Sequence, residues 1–486
     1  MQVLNAVFGI ILARKLGQAD YGLIGMLTIF TLIANSLQDS GFVTALTNKR
    51  DATHHDYNSV FWFNITVSLC LYFLFFCCAP LIADFFNEPI LTSLSRYYFF
   101  GFFIASFSIV PRAILFRQIK QRELAIMGIS SLLVSGTVGI LMAYNGMAYW
   151  GLATQTLTFN LMVSILSWLL SGWKPSLIKL KNEKLKSNHA DEKNFNPSIL
   201  QSFIFFFAPI KEMFGFSSKM LLTNIFNQVN NNIFSLVLGK LYTKVEVGTY
   251  TQANKWNTMG ASTIIGMVQG VAQPTFVEVG NDPERLRRAF AKMLRFTSFI
   301  SFPIMFGLAL VAPEFISVLI TDKWLPSAHL MRILCIGGAF LPIATLYFNL
   351  IISRGKSDIY MWNVIIQGCT ILGSILLMHA LGGSITHMVI SYVAITIIWV
   401  GVWHYFLYRE IAYSLLSALR DILPFLLIAA TTMAITYFVT IQLTTDNKTL
   451  LLVSRILIAA PIYLGTLWLL HAKILKESIG YLLKRK

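Results

Sequence analysis

Long apolar stretches alternate with short polar loops along the whole chain. An α-helix needs about 20 mostly apolar residues to cross the hydrocarbon core of a bilayer, and such runs recur throughout the sequence. They predict fourteen membrane-spanning helices, at 1–13, 21–38, 59–83, 92–111, 123–144, 148–172, 213–238, 249–273, 293–312, 329–353, 360–380, 384–407, 420–441 and 450–471. The first is short, because its residues reach only about 20 Å at about 1.5 Å each. Either helix one is partial or the start codon lies upstream of Met1.

Composition agrees with this pattern and excludes other classes. Hydrophobic residues make up 56% of the chain and charged residues only 12%, which is typical of a polytopic membrane protein with an all-α fold. The net charge of +16 is spread over many loops and forms no single patch, so nucleic acid is not a predicted partner. Without the paired spacing of a disulfide framework or a metal site, we interpret the cysteines as packing residues and predict no metal or cofactor: Cys70, Cys77, Cys78, Cys335 and Cys369.

The basic residues lie mostly in alternate loops. Lys and Arg accumulate in the short cytoplasmic loops of membrane proteins, so this asymmetry predicts the orientation of the chain. Twenty-six of the 38 lie in one set of loops and in the C-terminal tail, and six lie in the opposite set, at Arg14, Lys15, Lys240, Lys244, Lys323 and Lys448. Both termini are therefore predicted to be cytoplasmic.

The lysine-rich polar stretch at 174–211 predicts a cytoplasmic linker between two lobes. It separates an N-terminal lobe of six helices at 1–173 from a C-terminal lobe of six helices at 212–408. Residues 409–486 add two further helices and a basic tail. The predicted architecture is therefore about fourteen transmembrane helices, in two six-helix lobes plus two C-terminal helices.

A weak internal repeat agrees with two lobes. Residues 8–22, FGIILARKLGQADYG, resemble residues 234–248, FSLVLGKLYTKVEVG, and an acidic-x-glycine pair closes each copy, Asp20/Gly22 and Glu246/Gly248. The copies are separated by an even number of helices, so the lobes would share one orientation and be related by an axis along the membrane normal. The alternative is coincidence in low-complexity apolar sequence.

The predicted span within Glu212–Leu238 carries a lysine and five asparagines. At about 100° per residue, most of its polar residues fall on one half of the helix: Glu212, Lys219, Thr223, Asn224, Asn227, Asn230, Asn231 and Ser235. Unsatisfied amides and ammonium groups are costly in hydrocarbon, so we predict that this half faces a wet cavity and forms a substrate wall. The alternatives are amides that join helices in a dry bundle or an amphipathic helix on the membrane surface.

Charged residues inside the predicted spans are nearly all basic. Lys219 and Lys255 lie well within their spans, whereas Arg332 and Arg455 lie a few residues from an end. For the two arginines we favour snorkelling, in which the long side chain extends to the membrane surface.

Six segments taken together carry a resemblance to a known family: ARKLGQADYGLIGM at 13–26, DSGFVTAL at 39–46, NSVFWFN at 58–64, AILFRQIKQRELA at 113–125, GMAYWGLA at 146–153 and LGKLYTKVEVGTYTQANKW at 238–256. The chain resembles the polysaccharide flippases of the multidrug/oligosaccharidyl-lipid/polysaccharide exporter superfamily, particularly the Wzx-like O-antigen and capsule transporters. The resemblance covers nearly the whole chain and departs from the family at the short helix one.

The resemblance implies a bacterial inner (plasma) membrane protein with two lobes around a central cavity, which works by alternating access. Its cargo would be a polyprenyl-pyrophosphate-linked oligosaccharide, with a polysaccharide polymerase and chain-length machinery as further partners. A diphosphate needs fixed positive charge and a sugar chain needs amide donors and acceptors, so Lys219 and Lys255 are candidate headgroup contacts. The candidate sugar contacts are Asn227, Asn230, Asn231 and Asn254. Arg14 matches an arginine near the family's gate.

Two other functions remain as alternatives. A drug or cation antiporter of the same superfamily would need buried carboxylates, and the acids near the spans that could couple transport to an ion are Asp39, Glu212 and Glu278. A membrane glycan-processing enzyme would need carboxylate, His or Arg clusters on a sizeable outward loop. The outward loops of this sequence are short, so the chain is predicted not to be an enzyme.

Overall fold

The computed structural model describes residues 2–39, 53–176, 234–279, 282–442 and 447–471, together with the single positions 225, 228, 232, 474 and 475. The regular elements within these residues are helices. The described part of the chain is therefore all-α, as the sequence predicts.

Fourteen α-helices follow one another in the described residues, together with a further helical segment at 234–241. They are α1 Gln2–Lys15, α2 Gln18–Asp39, α3 His54–Phe86, α4 Leu91–Arg117, α5 Gln121–Tyr144, α6 Ala148–Ser171, α7 Lys244–Val279, α8 Pro283–Leu319, α9 Leu325–Gly338, α10 Leu341–Ser353, α11 Ser357–Ala380, α12 Ile385–Ile411, α13 Leu415–Ile441 and α14 Lys448–Leu469. A single 3₁₀ turn, Asp322–Trp324, precedes α9. Most of the predicted seventh span, 213–238, lies outside the described residues.

Ten stretches of the described chain are long and apolar enough to cross a membrane. They are α3 to α6, α8, the continuous stretch Asp322–Ser353, and α11 to α14. Among the remaining helices, α1 is short, with 14 residues, and α7 is rich in polar residues. The chain is a multi-pass membrane protein, and the count of fourteen spans stays a prediction.

The predicted single span at 329–353 is two helices, α9 and α10, which meet at Ala339 and Phe340. Pro342 explains the break, because proline has no N–H to donate to the carbonyl of Gly338 and its ring crowds that carbonyl. The break leaves the carbonyl of Ala339 available, and Ser301 Oγ on α8 donates a hydrogen bond to it over 2.7 Å. The sequence pattern is apolar across the break, so apolarity alone predicts a continuous helix.

The chain packs as two compact units. Unit 1 contains residues 1–16 and 26–229, and unit 2 contains residues 17–25 and 230–486. The first turns of α2 therefore belong to unit 2 and the rest of the helix to unit 1. The lobe boundaries predicted from the sequence stay a prediction.

Within unit 1, α6 is joined to α4 by a row of side-chain hydrogen bonds. Asn160 Nδ2 donates to the Gly101 carbonyl over 2.9 Å, and Trp168 Nε1 donates to the Phe107 carbonyl over 2.7 Å. Between them, Ser164 Oγ donates to the Ile104 carbonyl over 2.8 Å. Such polar contacts, together with small residues, hold membrane helices together where the hydrophobic effect cannot.

Within unit 2, α8 is the central helix and packs against α7, α9, α13 and α14. Large aromatic side chains fill the space around it, and Trp324, Tyr347, Phe290 and Phe302 are almost fully buried. The ring of Phe290 meets that of Tyr347 edge to face at 5.0 Å. This packing positions α7, whose residues form the candidate site.

Candidate functional site

A reciprocal cap fixes the start of α7. The backbone N–H of Thr243 donates to Glu246 Oε2 over 3.0 Å, and the N–H of Glu246 donates back to Thr243 Oγ1 over 3.4 Å. This is a capping box, which satisfies two N–H groups that a helix start leaves unpaired. The helix then continues for 36 residues, about 54 Å at 1.5 Å per residue, which exceeds a hydrocarbon core of about 30 Å.

One side of α7 carries a stripe of polar residues, which Ile265 interrupts between Ser262 and Gln269. At about 100° per residue, the members fall within an arc of about 100°: Thr251, Asn254, Lys255, Thr258, Ser262 and Gln269. Each of these side chains is at least partly accessible. From Thr251 to Gln269 the stripe covers about 27 Å of helix, close to the thickness of the hydrocarbon core. It holds one lysine, amides and hydroxyls but no carboxylate, since the acids on α7 are Glu246 and Glu278.

The opposite side of α7 is buried and fixes the rotation of the helix. Gln252 is fully buried and Asn257 nearly so. A Cβ added to Gly338 of α9 would lie 2.2 Å from Asn257 Oδ1, so a larger residue at 338 would displace the Asn257 side chain. Packing of this face holds the polar stripe on the accessible side.

An apolar cavity adjoins the polar stripe. Its volume is about 600 Å³, and residues of α7, α8, α13 and α14 line it. Trp256, Met259 and Thr263 of α7 belong to the lining, and on the helix surface they lie beside the residues of the stripe. Almost all of the remaining lining is apolar, as at Pro303 and Tyr463. This part of α7 therefore presents its polar stripe on one side and lines an apolar cavity on the adjacent side.

A buried ion pair lies at the edge of this cavity. Arg455 Nη1 of α14 is 2.7 Å from Glu314 Oε2 of α8, and the two side chains are only 6% and 12% exposed. Arg455 Nε also donates to Thr440 Oγ1 over 3.2 Å, and Nη1 donates to the Leu310 carbonyl over 3.2 Å. The expectation that Arg455 snorkels to the membrane surface is wrong, because its guanidinium is paired and hydrogen-bonded inside unit 2.

The first turns of α2 cross the start of α7 at very short range. A Cβ on Gly22 would lie 1.8 Å from the Lys244 carbonyl oxygen, and a Cβ on Gly248 would lie 1.8 Å from the Gln18 carbonyl oxygen. Any larger residue at 22 or 248 would overlap the backbone of the other helix. Close approach of this kind is what small residues allow at membrane helix crossings.

Two further contacts join residues 17–25 to the rest of unit 2. Gln18 Nε2 donates to the Lys323 carbonyl over 2.7 Å. The ring of Tyr21 meets that of Trp324 edge to face at 5.3 Å, and both side chains are buried. Asp20 caps α2, as Glu246 caps α7, because its carboxylate accepts from the Gly17 N–H over 2.8 Å.

The predicted site residues fall into three groups, according to where the structure places them. Lys255 and Asn254 lie together on the polar stripe, where Thr258 Oγ1 donates to Asn254 Oδ1 over 3.4 Å. Arg14 lies in the last turn of α1, in unit 1, with an exposed side chain. The side chains of the other candidates lie outside the described part of the structure: Lys219, Asn227, Asn230, Asn231, Asp39, Glu212 and Glu278.

Sequence reasoning missed Glu314. The predicted span ended at 312, whereas α8 continues through Pro313 to Leu319 and carries Glu314 into the packed unit. Arg332 differs from Arg455 because its side chain is exposed on α9, and its snorkelling stays a prediction. A carboxylate within a few residues of an apolar span is the signal that could have found Glu314.

The described part of the chain contains ten apolar stretches of membrane length, and α7 adds a polar stripe. These features define the class of protein: a polytopic all-α membrane protein. Residues 11–187 and 200–329, more than half of the chain, match the family described as polysaccharide biosynthesis protein. The chain belongs to this family.

Two relatives match most of the chain at low sequence identity. The lipopolysaccharide biosynthesis protein WzxC of Escherichia coli K12 is 22% identical over 355 residues, which cover 73% of this chain and 67% of WzxC. The teichuronic acid biosynthesis protein TuaB of Bacillus subtilis 168 is 24% identical over 403 residues, which cover 82% of this chain and 78% of TuaB.

Solved structures share the fold. The lipid II flippase MurJ in its inward closed conformation matches 100% of this chain and 98% of its own, with a TM-score of 0.71 and 15% identity. An inward-facing multidrug resistance MATE family transporter of the MOP superfamily matches 85% of this chain and 95% of its own, with a TM-score of 0.65 and 15% identity. The chain therefore shares its fold with both of these transporters.

Proposed function

We propose that the chain is a flippase that moves a polyprenyl-pyrophosphate-linked oligosaccharide from the cytoplasmic to the outer leaflet for cell-surface polysaccharide biosynthesis. The observation that carries this proposal is the two-sided character of α7. Its accessible stripe holds a fixed positive charge with amides and hydroxyls, while Trp256 and Met259 border an apolar cavity of about 600 Å³. A cargo with an anionic, hydroxyl-rich head and a long apolar tail has the same two-part chemistry.

In this proposal Lys255 contacts the diphosphate, because an ammonium group forms charge-assisted hydrogen bonds with phosphate oxygens. Asn254, Thr258 and Gln269 offer donors and acceptors to sugar hydroxyls. Lys219, Asn227, Asn230 and Asn231 form the second polar wall, and Arg14 lies near the gate.

The relatives support the class of cargo. Proteins named for lipopolysaccharide and for teichuronic acid biosynthesis match most of this chain, and a lipid II flippase shares its fold along the whole length. These comparisons also assign the chain to transporters and not to glycan-processing enzymes. The polymerase and chain-length machinery are proposed partners, and both termini are proposed to face the cytoplasm of the bacterial cell.

A drug or cation antiporter is the second candidate, since MATE transporters share the fold over 85% of this chain. Against it, the stripe of α7 carries no carboxylate, and Glu314 is already paired with Arg455. If transport is coupled to an ion, Asp39, Glu212 and Glu278 are the proposed groups.

The test is a strain in which the gene is deleted. The flippase proposal predicts that lipid-linked oligosaccharide accumulates and surface polysaccharide is lost, and that the wild-type gene restores export. A Lys255→Glu variant should not restore it, because a carboxylate repels the diphosphate, whereas Arg332→Ala, which removes an exposed cation outside the stripe, should. Normal surface polysaccharide combined with raised sensitivity to cationic drugs would contradict the proposal and favour an antiporter.

A further inference from the structure

A second pocket, with a charged lining, lies near the starts of α8 and α13, and no residue of α7 lines it. Its volume is about 510 Å³, within the range of about 300–1,000 Å³ typical of small-molecule sites. Four arginines line it: Arg287, Arg288 and Arg295 from α8 and Arg420 from α13. The family match ends at residue 329, so the α13 side of this pocket lies beyond the matched region.

Only one of these arginines is neutralised in the described structure. Arg295 Nη1 lies 3.2 Å from Asp421 Oδ1, and the Tyr413 hydroxyl donates to Asp421 Oδ2 over 2.5 Å. Burial raises the pKa of Tyr413 and the adjacent carboxylate of Asp421 raises it further, so the phenol remains a donor at neutral pH. Both carboxylate oxygens of Asp421 therefore already have a partner, Arg295 or Tyr413.

The other three arginines form an uncompensated positive cluster. Within the described part of the chain, no carboxylate lies within 4 Å of Arg287, Arg288 or Arg420, and all three side chains are exposed. Like charges gathered around one pocket repel each other unless an anion lies between them. The planar guanidinium matches phosphate oxygens two at a time, which makes arginine the preferred residue for phosphate recognition.

The start of α13 adds to the attraction for an anion. Ser414 caps the helix by accepting from the Ser417 N–H over 3.2 Å, and the two hydroxyls lie 2.9 Å apart. Both serines line the pocket together with Arg420. The helix start carries a partial positive charge, so it acts in the same direction as the arginines.

Apolar side chains flank the charged lining. On α13, Leu416 is 63% exposed and lies only about 40° around the helix from Arg420. Leu419, on the same side, and Phe296, which follows Arg295 on α8, are also exposed. Guanidinium groups beside exposed leucines suit the boundary between lipid headgroups and acyl chains, where a soluble anion would leave the apolar flank uncovered.

We propose that this pocket binds the phosphate group of a membrane-lipid headgroup. Arg287, Arg288 and Arg420 hold the phosphate, and the acyl or prenyl chain lies along Leu416 and Leu419. Basic pockets between transmembrane helices on the cytoplasmic side bind anionic headgroups in this way. The lipid is either an anionic phospholipid or a polyprenyl diphosphate. The inference does not depend on the proposed transport function, because it uses none of the residues of the α7 stripe.

The test uses the full chain in phosphatidylcholine nanodiscs with a small, known fraction of phosphatidylglycerol, and native mass spectrometry counts the phosphatidylglycerol retained. Wild-type protein should retain it preferentially. An Arg288→Ala/Arg420→Ala variant should bind it at least about tenfold more weakly, because each arginine contributes charge-assisted hydrogen bonds. The matched control is Arg285→Ala, an arginine of the same helix that is 71% exposed, pairs with Asp282 and lies outside the pocket. It should retain wild-type affinity.

An Arg288→Lys/Arg420→Lys variant covers the case in which the double alanine variant fails to fold. It keeps both charges but loses the two-point geometry, so it should melt like wild type and bind with intermediate affinity. Retention of phosphatidylglycerol unchanged in both double variants would overturn the proposal, as would an equal loss in Arg285→Ala.

Competition identifies the source of the phosphate. Displacement of phosphatidylglycerol by low concentrations of polyprenyl diphosphate would assign the pocket to the prenyl lipid, and resistance to displacement would assign it to the phospholipid. Both results agree with a lipid headgroup site. Inorganic diphosphate that displaces the lipid as effectively as a lipid competitor would overturn it, because the site would then be one for a soluble anion.

Discussion

Gly22 and Gly248 each lie against the backbone of the other's helix, and the two contacts are equivalent. Gly22 faces the carbonyl oxygen of Lys244, four residues before Gly248, and Gly248 faces that of Gln18, four residues before Gly22. An acid two residues before each glycine caps the corresponding helix. The weak sequence repeat thus appears in the structure as a symmetric helix crossing, which argues against coincidence.

The first prediction concerns this crossing. Gly248→Ala should destabilise it by about 1–3 kcal/mol, the usual effect of overpacking, because the new methyl group would overlap the Gln18 carbonyl. The melting temperature of the purified protein in detergent should fall. Gly266→Ala is the matched control, since this glycine is also on α7 and has no heavy atom within 4 Å of an added Cβ. Equal effects of the two substitutions would show that the crossing is not formed.

The second prediction concerns the charge on the polar stripe. Lys255→Ala should lower export of lipid-linked oligosaccharide about tenfold or more, because charge-assisted hydrogen bonds to the diphosphate are lost, and membrane insertion should stay normal. Lys255→Arg should retain most of the activity. The same loss is expected for Lys219→Ala. The measurement is surface polysaccharide at matched protein levels, with Arg332→Ala as control. Wild-type export by Lys255→Ala would remove this residue from the site.

The third prediction concerns the buried ion pair. Glu314→Gln should destabilise the protein by about 3–5 kcal/mol, because it leaves the buried guanidinium of Arg455 without a compensating charge. Replacing both partners with apolar residues, Glu314→Leu with Arg455→Met, should cost much less, since neither charge then remains. Thermal unfolding of Glu314→Leu, Arg455→Met and the variant that carries both substitutions forms a double-mutant cycle.

If the stability losses of the two single variants add up to the loss of the double variant, the pair contributes no coupling energy. The exposed pair between Lys448 and Asp322 is the control. Solvent screens exposed ion pairs, so its removal should change stability far less than breaking the buried pair does.

The sequence predicts the helices well because the membrane constrains them. A span must be about 20 residues long and mostly apolar, so length and hydropathy locate α3 to α6 and α11 to α14 to within a few residues. The break between α9 and α10 has no such signal, because both sides are apolar and only Pro342 marks it. A proline inside a membrane helix often causes no break, as at Pro303 within α8.

The candidate site is predictable only in part. Lys255 and Asn254 are conspicuous because polar residues are rare within spans, and the structure places both on an accessible face. The pairing of Glu314 with Arg455 has no signal in a single sequence, since the two residues are far apart in the chain and meet only through helix packing. For the same reason, spacing along the chain cannot show that Arg420 joins the arginines of α8.

The last prediction concerns the transport cycle. Residues 17–22 and 242–248 meet at the crossing in this structure, and alternating access requires such a contact to open when the site is exposed to the other side. Cysteines placed in these two segments, in a background without the five native cysteines, should form a disulfide, because helices this close bring Cβ atoms within bonding range at suitable pairs. The disulfide should stop transport, and reduction should restore it. A cysteine pair between α4 and α6 of unit 1, which pack as neighbours within one unit, should crosslink without stopping transport. If a verified crosslink between the two segments left export at its normal rate, the crossing would not be a moving part, and local gates elsewhere would have to expose the site.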